Sequence, residues 1–158
     1  MNDSLNGLSA SLAIAAVPVS FYATGLARHD SYAKHSALLM GEAVADSELV
    51  GEVLKDMDQR LRPEAIGLRG NFSDTWFDNK GNAFWSNSSF PSGHTIAAFS
   101  IATVIARRYR AHKWIPYVAY GAAALIGFSR ISESAHFPSD VFVGAALGYS
   151  ITRFTVLR

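Results

Sequence analysis

The second half of the chain is built from apolar stretches packed with alanine and glycine, and no part of it alternates apolar with polar residues as a half-buried strand would. That pattern points to helices. Three of them read from Ser92 to Tyr109, from Trp114 to about Ser129, and from Pro138 to about Val156. Small residues recur along them (Ala97, Ala98, Ala102, Gly121, Ala122, Ala123, Ala124, Gly144, Ala145, Ala146, Gly148), a composition that permits close helix contact in water or in lipid. Upstream, Leu8 to Ala27 carries no charge and has Pro18 inside it, and a second helix runs from about Ala33 to Arg62. A long loop from Pro63 to Pro91 separates the two halves, rich in Gly, Asn and Ser and in aromatics such as Trp76, Phe77, Phe84 and Trp85. The expected fold is all-α, a bundle of about five helices in which the loops after helix two and between helices four and five meet at one end.

Two polar segments punctuate this background: Pro91-Ser92-Gly93-His94, and Ser129 to Asp140, which reads Ser-Arg-Ile-Ser-Glu-Ser-Ala-His-Phe-Pro-Ser-Asp. Each sets a histidine where a loop turns into an apolar helix. The start of a helix leaves several backbone N–H groups without partners and carries the positive end of the macrodipole, so it can hold an oxyanion. Ser92 is placed to cap that start, Gly93 lets a ligand approach the main chain, and His94 falls in the first turn. His136 and Asp140 are four residues apart, a spacing that lets a carboxylate reach one imidazole nitrogen and fix the tautomer, leaving the other nitrogen free to attack. Lys55 and Arg62 are seven residues apart. On a continuous helix they would share a face about 10 Å apart along the axis, close enough to converge on one phosphate. Pro63 is expected to end that helix near Arg62.

Taken in order, Lys-x6-Arg-Pro from Lys55, Pro-Ser-Gly-His from Pro91 and Ser-Arg-x5-His-x3-Asp from Ser129 resemble the type 2 phosphatidic acid phosphatase (PAP2) superfamily, which also contains bacterial acid phosphatases and vanadium haloperoxidases. All eleven specified positions match, over a span from Lys55 to Asp140. The resemblance implies a metal-independent phosphatase acting on a phosphomonoester or diphosphate, such as a lipid phosphate or polyprenyl diphosphate, through a phosphohistidine. It implies His136 as nucleophile, Asp140 as its orienting partner and His94 as the acid that protonates the leaving oxygen. Lys55, Arg62, Ser92, Gly93 and Arg130 would bind the phosphoryl oxygens, with no cofactor. Two alternatives use the same cage: a haloperoxidase with vanadate bound at His136, and a phosphotransferase that passes the group to an alcohol. Singly, each of these residues has a plainer reading as a cap or a solvated helix end. Their joint order does not. His29, His35 and His112 have no such company and read as loop or surface residues.

Composition bounds the rest. A formal charge of +1 and a sequence pI near 8.1, with basic residues spread among loops, argue for no nucleic-acid partner. The absence of cysteine excludes disulfides and thiolate metal sites. No repeat or linker is visible, so residues 1–158 form one domain, with 1–32 as a membrane-anchoring helix and 33–158 as the catalytic bundle.

The membrane question has evidence on both sides. Helix one is long enough to span, whereas the later apolar stretches fall short of the roughly 20 residues needed. Mean hydropathy is only +0.13, and helix two carries Glu42, Asp46, Glu48 and Glu52. Each carboxylate at bilayer depth costs about 2.5–3.5 kcal/mol unless paired or protonated. If the helices alternate up and down, the end opposite the histidines collects Arg28, Lys34, Arg107, Arg108, Arg110, Lys113, Arg153 and Arg158 against Asp30. The positive-inside rule then makes that end cytoplasmic, although helix C-termini favour cations in any case. The expectation is a membrane-associated protein of a bacterial-type envelope with its site facing the periplasm; a soluble periplasmic phosphatase is the alternative. Familiar six-helix members have one more helix ahead of Lys-x6-Arg-Pro, so either the short N-terminal tail crosses unaided or an upstream segment is missing.

Overall fold

The structure is a computed structural model that describes residues 2–66, 70, 72, 75–77 and 88–158, the side chains of 2–8 excepted. The expected helices form as α1 (Asn2–Ala27), α2 (Ser31–Asp58), α4 (Gly93–Arg108), α5 (Ile115–Ser132) and α6 (Pro138–Ile151); a short α3 (Pro63–Ile66) joins them. The end of the last predicted helix, Thr152–Val156, is a π-turn. Phe84 and Trp85 lie outside the described residues.

One boundary corrects the sequence reading. The second helix does not continue to Arg62: it stops at Asp58, with Gln59 in the left-handed region at φ 45° and its N–H donating to the Lys55 carbonyl. The cause is local competition for the next donor, because the Asp58 carboxylate accepts the Arg60 N–H at 2.9 Å and the Ser88 hydroxyl at 2.8 Å. Beyond it the backbone pairs across the loop, Leu61 N–H to Thr75 O and Phe77 N–H to Asp58 O. Pro63 therefore opens α3 instead of closing α2. Lys55 and Arg62 do not share a helical face.

α4 sits at the centre, packed on α1, α2, α5 and α6. Ile14 of α1, Met40 and Ala43 of α2, and Ala97, Ile101 and Val104 of α4 form the main buried cluster. α6 comes close enough to α4 that a Cβ on Gly148 would collide with the Ile96 carbonyl oxygen, and one on Gly144 would lie 2.8 Å from that of Ser92. The small residues are not all contact residues, however: Gly121, Ala122 and Ala124 face outward. So do many large apolar side chains, among them Tyr117 (80 % exposed), Leu125, Phe128 and Phe142 (75 %). Buried small residues with bulky ones outside suit a lipid surround.

Among the described residues, α1 alone is long and apolar enough to cross a membrane. Its stretch from Ser9 to Ala27 is 19 residues at mean hydropathy 1.6. At 1.5 Å per residue that is about 28 Å, close to the hydrocarbon thickness. α2 does not meet that criterion, and its Glu42, Asp46 and Glu52 are exposed. The end of the bundle away from the two histidine loops gathers Arg28, Lys34, Arg107, Arg108, Arg110 and Lys113, at the C-termini of α1 and α4 and the starts of α2 and α5. His29, His35 and His112 are exposed, as expected.

Candidate active site

The start of α4 forms one wall of the cavity. Ser92 is the residue before the first turn, with extended backbone (φ −74°, ψ 107°), but its hydroxyl caps no N–H and instead accepts from the Thr95 hydroxyl at 2.9 Å. The Ser92 N–H donates to the Asp140 carbonyl at 3.1 Å, which ties this turn to α6. Ser92 is therefore buried behind the site, while Gly93 and His94 line the cavity in front of it. His94 Nε2 is hydrogen-bonded to the Ser11 hydroxyl of α1 at 3.0 Å.

His136 follows the end of α5, where Ser134 takes φ 55° and the Ala135 and His136 N–H groups both return to the Arg130 carbonyl. Its Nδ1 lies 2.6 Å from the Ser89 carbonyl oxygen. A carbonyl can only accept, so Nδ1 carries the proton and Nε2 keeps a lone pair. Burial, with Arg62 nearby, holds this imidazole far below its usual range, down to about 3. It is neutral at physiological pH, with the lone pair on Nε2.

Asp140 does not contact His136, contrary to what the four-residue spacing suggests. It occupies the third position of α6, and its Oδ2 accepts the Phe137 N–H at 2.9 Å and the Ser89 hydroxyl at 2.6 Å. Its Oδ1 accepts from Arg60 in a fully buried ion pair and from the Ser139 hydroxyl at 3.3 Å. The carboxylate reaches His136 only through Ser89, which bonds Asp140 with its side chain and His136 with its carbonyl. Arg60 is held further by the Thr75 hydroxyl at 3.2 Å and the Ser139 hydroxyl at 2.8 Å. Its guanidinium lies 4.4 Å from the Trp76 ring centre and 4.0 Å from that of Phe137. The loop aromatic Trp76 thus packs on the network behind the site.

Of the eight residues singled out from the sequence, six line one cavity of about 980 Å³: Lys55, Arg62, Gly93, His94, Arg130 and His136. Ser92 and Asp140 stand behind it. Lys55 Nζ is 2.5 Å from Glu52 Oε1, and Arg130 pairs with Glu133 at 2.9 Å. Burial lowers the Arg62 pKa from its ordinary value, against the partial opposition of Glu64. Among the described residues no three His, Asp or Glu side chains converge as a metal-ligand set. From this polar end the cavity continues between α1, α2 and α4 along Ile14, Val19, Met40, Val44, Ala97 and Ile101.

Residues 36–158 match the PAP2 superfamily. The chain belongs to the PAP2 superfamily. It is 39 % identical over 109 residues to a lipid A 1-phosphatase of Rhizobium etli, an alignment covering 66 % of this chain and 42 % of that one. It is 32 % identical over 119 residues to phosphatidylglycerophosphatase B of Bacillus subtilis, covering 70 % and 52 %. The chain thus spans about half the length, or less, of these curated relatives. Among solved structures, that of Aquifex aeolicus LpxE superposes with a TM-score of 0.60 at 28 % identity, over 92 % of this chain and 82 % of the other.

Four site residues of this PAP2 chain escape its sequence pattern. Arg60 sits inside Lys-x6-Arg at an unspecified position, and Ser89 precedes Pro-Ser-Gly-His by two residues. Ser11 lies in the apolar helix. Glu48 lies two helical turns before Lys55 on the same face of α2, reading as one more carboxylate of that helix.

Proposed function

We propose that this PAP2 chain hydrolyses a phosphorylated membrane lipid, a lipid monophosphate or polyprenyl diphosphate, by way of a phosphohistidine. The observation that carries this reading is the shape of the cavity: a cationic end with two histidines opens directly into an apolar arm of the kind that takes a hydrocarbon chain. Nε2 of His136 attacks phosphorus while Nδ1–H is held by the Ser89 carbonyl. The P–O bond to the leaving group breaks, and His94 delivers a proton to that oxygen. Lys55, Arg62, Arg130 and the first N–H groups of α4 balance the charge on the phosphoryl oxygens, the electrostatic work a metal ion would otherwise do. Water then attacks the phosphohistidine, giving up a proton to the now neutral His94 and releasing phosphate. α1 crosses the bilayer, the apolar flanks of α5 and α6 meet lipid, and the basic end faces the cytoplasm, which directs the site to the periplasm.

A phosphate-release screen with EDTA present, over lipid phosphates, polyprenyl diphosphates and small soluble esters, tests the reading. Lipid substrates are expected to lead, and Gly41→Leu gives the sharper check, because Gly41 lines the apolar arm and a Cβ built there meets no protein atom within 4 Å. That variant should lower the ratio of lipid to p-nitrophenyl phosphate turnover about tenfold or more. An unchanged ratio removes the lipid arm, and activity that appears only with a divalent ion removes metal independence.

The role given to His94 makes a separate prediction. A general acid contributes about 10²–10⁴-fold, and less when the leaving group departs without a proton. His94→Ala should therefore damage hydrolysis of an alkyl phosphate far more than that of p-nitrophenyl phosphate; equal losses on the two would contradict the assignment.

A further inference from the structure

Three carboxyl groups line the cavity with no part in the chemistry above, Glu48, Glu64 and Glu133, and of these Glu48 stands over the start of α4. Glu48 projects from α2 into the notch between Gly51 and Gly93: its Oε2 and Oε1 lie 3.2 and 3.4 Å from where a Cβ on Gly93 would be. Lys55 Nζ lies 3.4 Å from that same point. The Glu48 carboxyl and the Lys55 ammonium therefore converge over the main chain at the start of α4, where the phosphoryl group is to bind. Gly93 keeps the notch open, since a Cβ there would press on both Glu48 oxygens, while Gly51 makes room for Ile96 Cδ1 on the other side. Burial pushes the Glu48 pKa up to about 7, against the pull of Lys55 and with the help of Glu52.

We propose that Glu48 is a specificity residue of the phosphate site. Protonated, it donates a hydrogen bond to a phosphoryl oxygen beside Lys55; ionised, it pairs with Lys55 and repels the dianion. Two anionic groups this close hold one proton between them more readily than either does alone, as paired carboxylates do. The other charged groups of the cavity are Lys55 and Glu52 on the same helix, His94 on α4, Arg62 and Glu64 beyond α2, and Arg130, Glu133 and His136 at the end of α5. Of these, His136 stays neutral across the neutral range, and the guanidinium groups stay charged. The result is an enzyme that loses hold of phosphate dianions as the pH rises. The inference rests on the phosphatase reading and names a further determinant of the same site.

The probe is sulfate, a dianion at every pH of interest, used as a competitive inhibitor of p-nitrophenyl phosphate hydrolysis by the full chain in detergent. Between pH 5.5 and 8.5 the wild-type inhibition constant should rise about tenfold or more beyond that of Glu48→Gln, because the glutamine stays neutral and keeps an N–H donor. Glu48→Ala, should glutamine disturb the fold, ought to lose the same alkaline rise while binding sulfate more weakly at pH 5.5. Glu52→Gln, which removes the carboxylate that helps keep Glu48 protonated, should keep the rise and move it to lower pH. The same rise in wild type and both Glu48 variants would overturn the role of Glu48 and leave the phosphatase reading standing. Failure of sulfate to inhibit the wild type, with no phosphate released from any ester, would overturn that reading and this inference with it.

Discussion

Replacing His136 with alanine is expected to remove nearly all turnover, on lipid and soluble substrates alike, while the bundle stays folded. His136 presents an unprotonated Nε2 to the cavity because burial keeps the ring neutral and the Ser89 carbonyl holds its proton on Nδ1. Brief incubation with radiolabelled substrate followed by acid-free quenching should leave label on wild-type protein and none on His136→Ala. Label on another residue, with the variant still active, would end the phosphohistidine mechanism. The substitution carries a second signature. An imidazole held at about 3 when folded takes up its proton far less readily than one at its ordinary value in the unfolded chain. Native stability from this group is thus present above pH about 6.5 and is lost as pH falls from there toward 3. His136→Ala should be less sensitive to acid across that window, as a circular-dichroism titration would read.

The second large effect is expected at the buried pair behind His136. Asp140→Asn should lower kcat about a hundredfold with little change in KM, less than the roughly 10⁴-fold seen where a carboxylate bonds its catalytic histidine directly, because here the influence passes through Ser89. Arg60→Met should reproduce the defect, since Arg60 holds Asp140 while standing outside the cavity. Either variant leaves a charge without its partner in a buried setting, which costs about 3–5 kcal/mol of stability, so a lowered Tm should accompany the kinetic loss. The double variant Arg60→Met, Asp140→Asn should recover part of that stability and none of the rate. A rise in KM with kcat intact would make Asp140 a substrate-binding residue.

Much of this was legible in the sequence. Local chemistry determined the helices, because apolar spacing and the polar loops between them act over a few residues. It also determined the two histidine loops: Gly93 and His94 open α4, and His136 precedes α6, because a polar loop running into an apolar helix leaves its first N–H groups open wherever the helix packs. Six of the eight residues picked from spacing together with the family resemblance converge on one cavity. What spacing got wrong were contacts in which several partners compete. Asp140 is four residues from His136, yet its oxygens are taken by Arg60 and Ser89, 80 and 51 residues away, and by the N–H of its own helix start. Arg62 left the helix because Asp58 captured the next N–H with help from Ser88, 30 residues on. The apolar arm of the cavity, the Ser11–His94 bond and the place of Glu48 over Gly93 exist only where α1, α2 and α4 meet. A sequence sets which groups each residue can offer; which partner each one takes is settled by what the packed helices bring within reach and by the cost of burying a polar group without a partner.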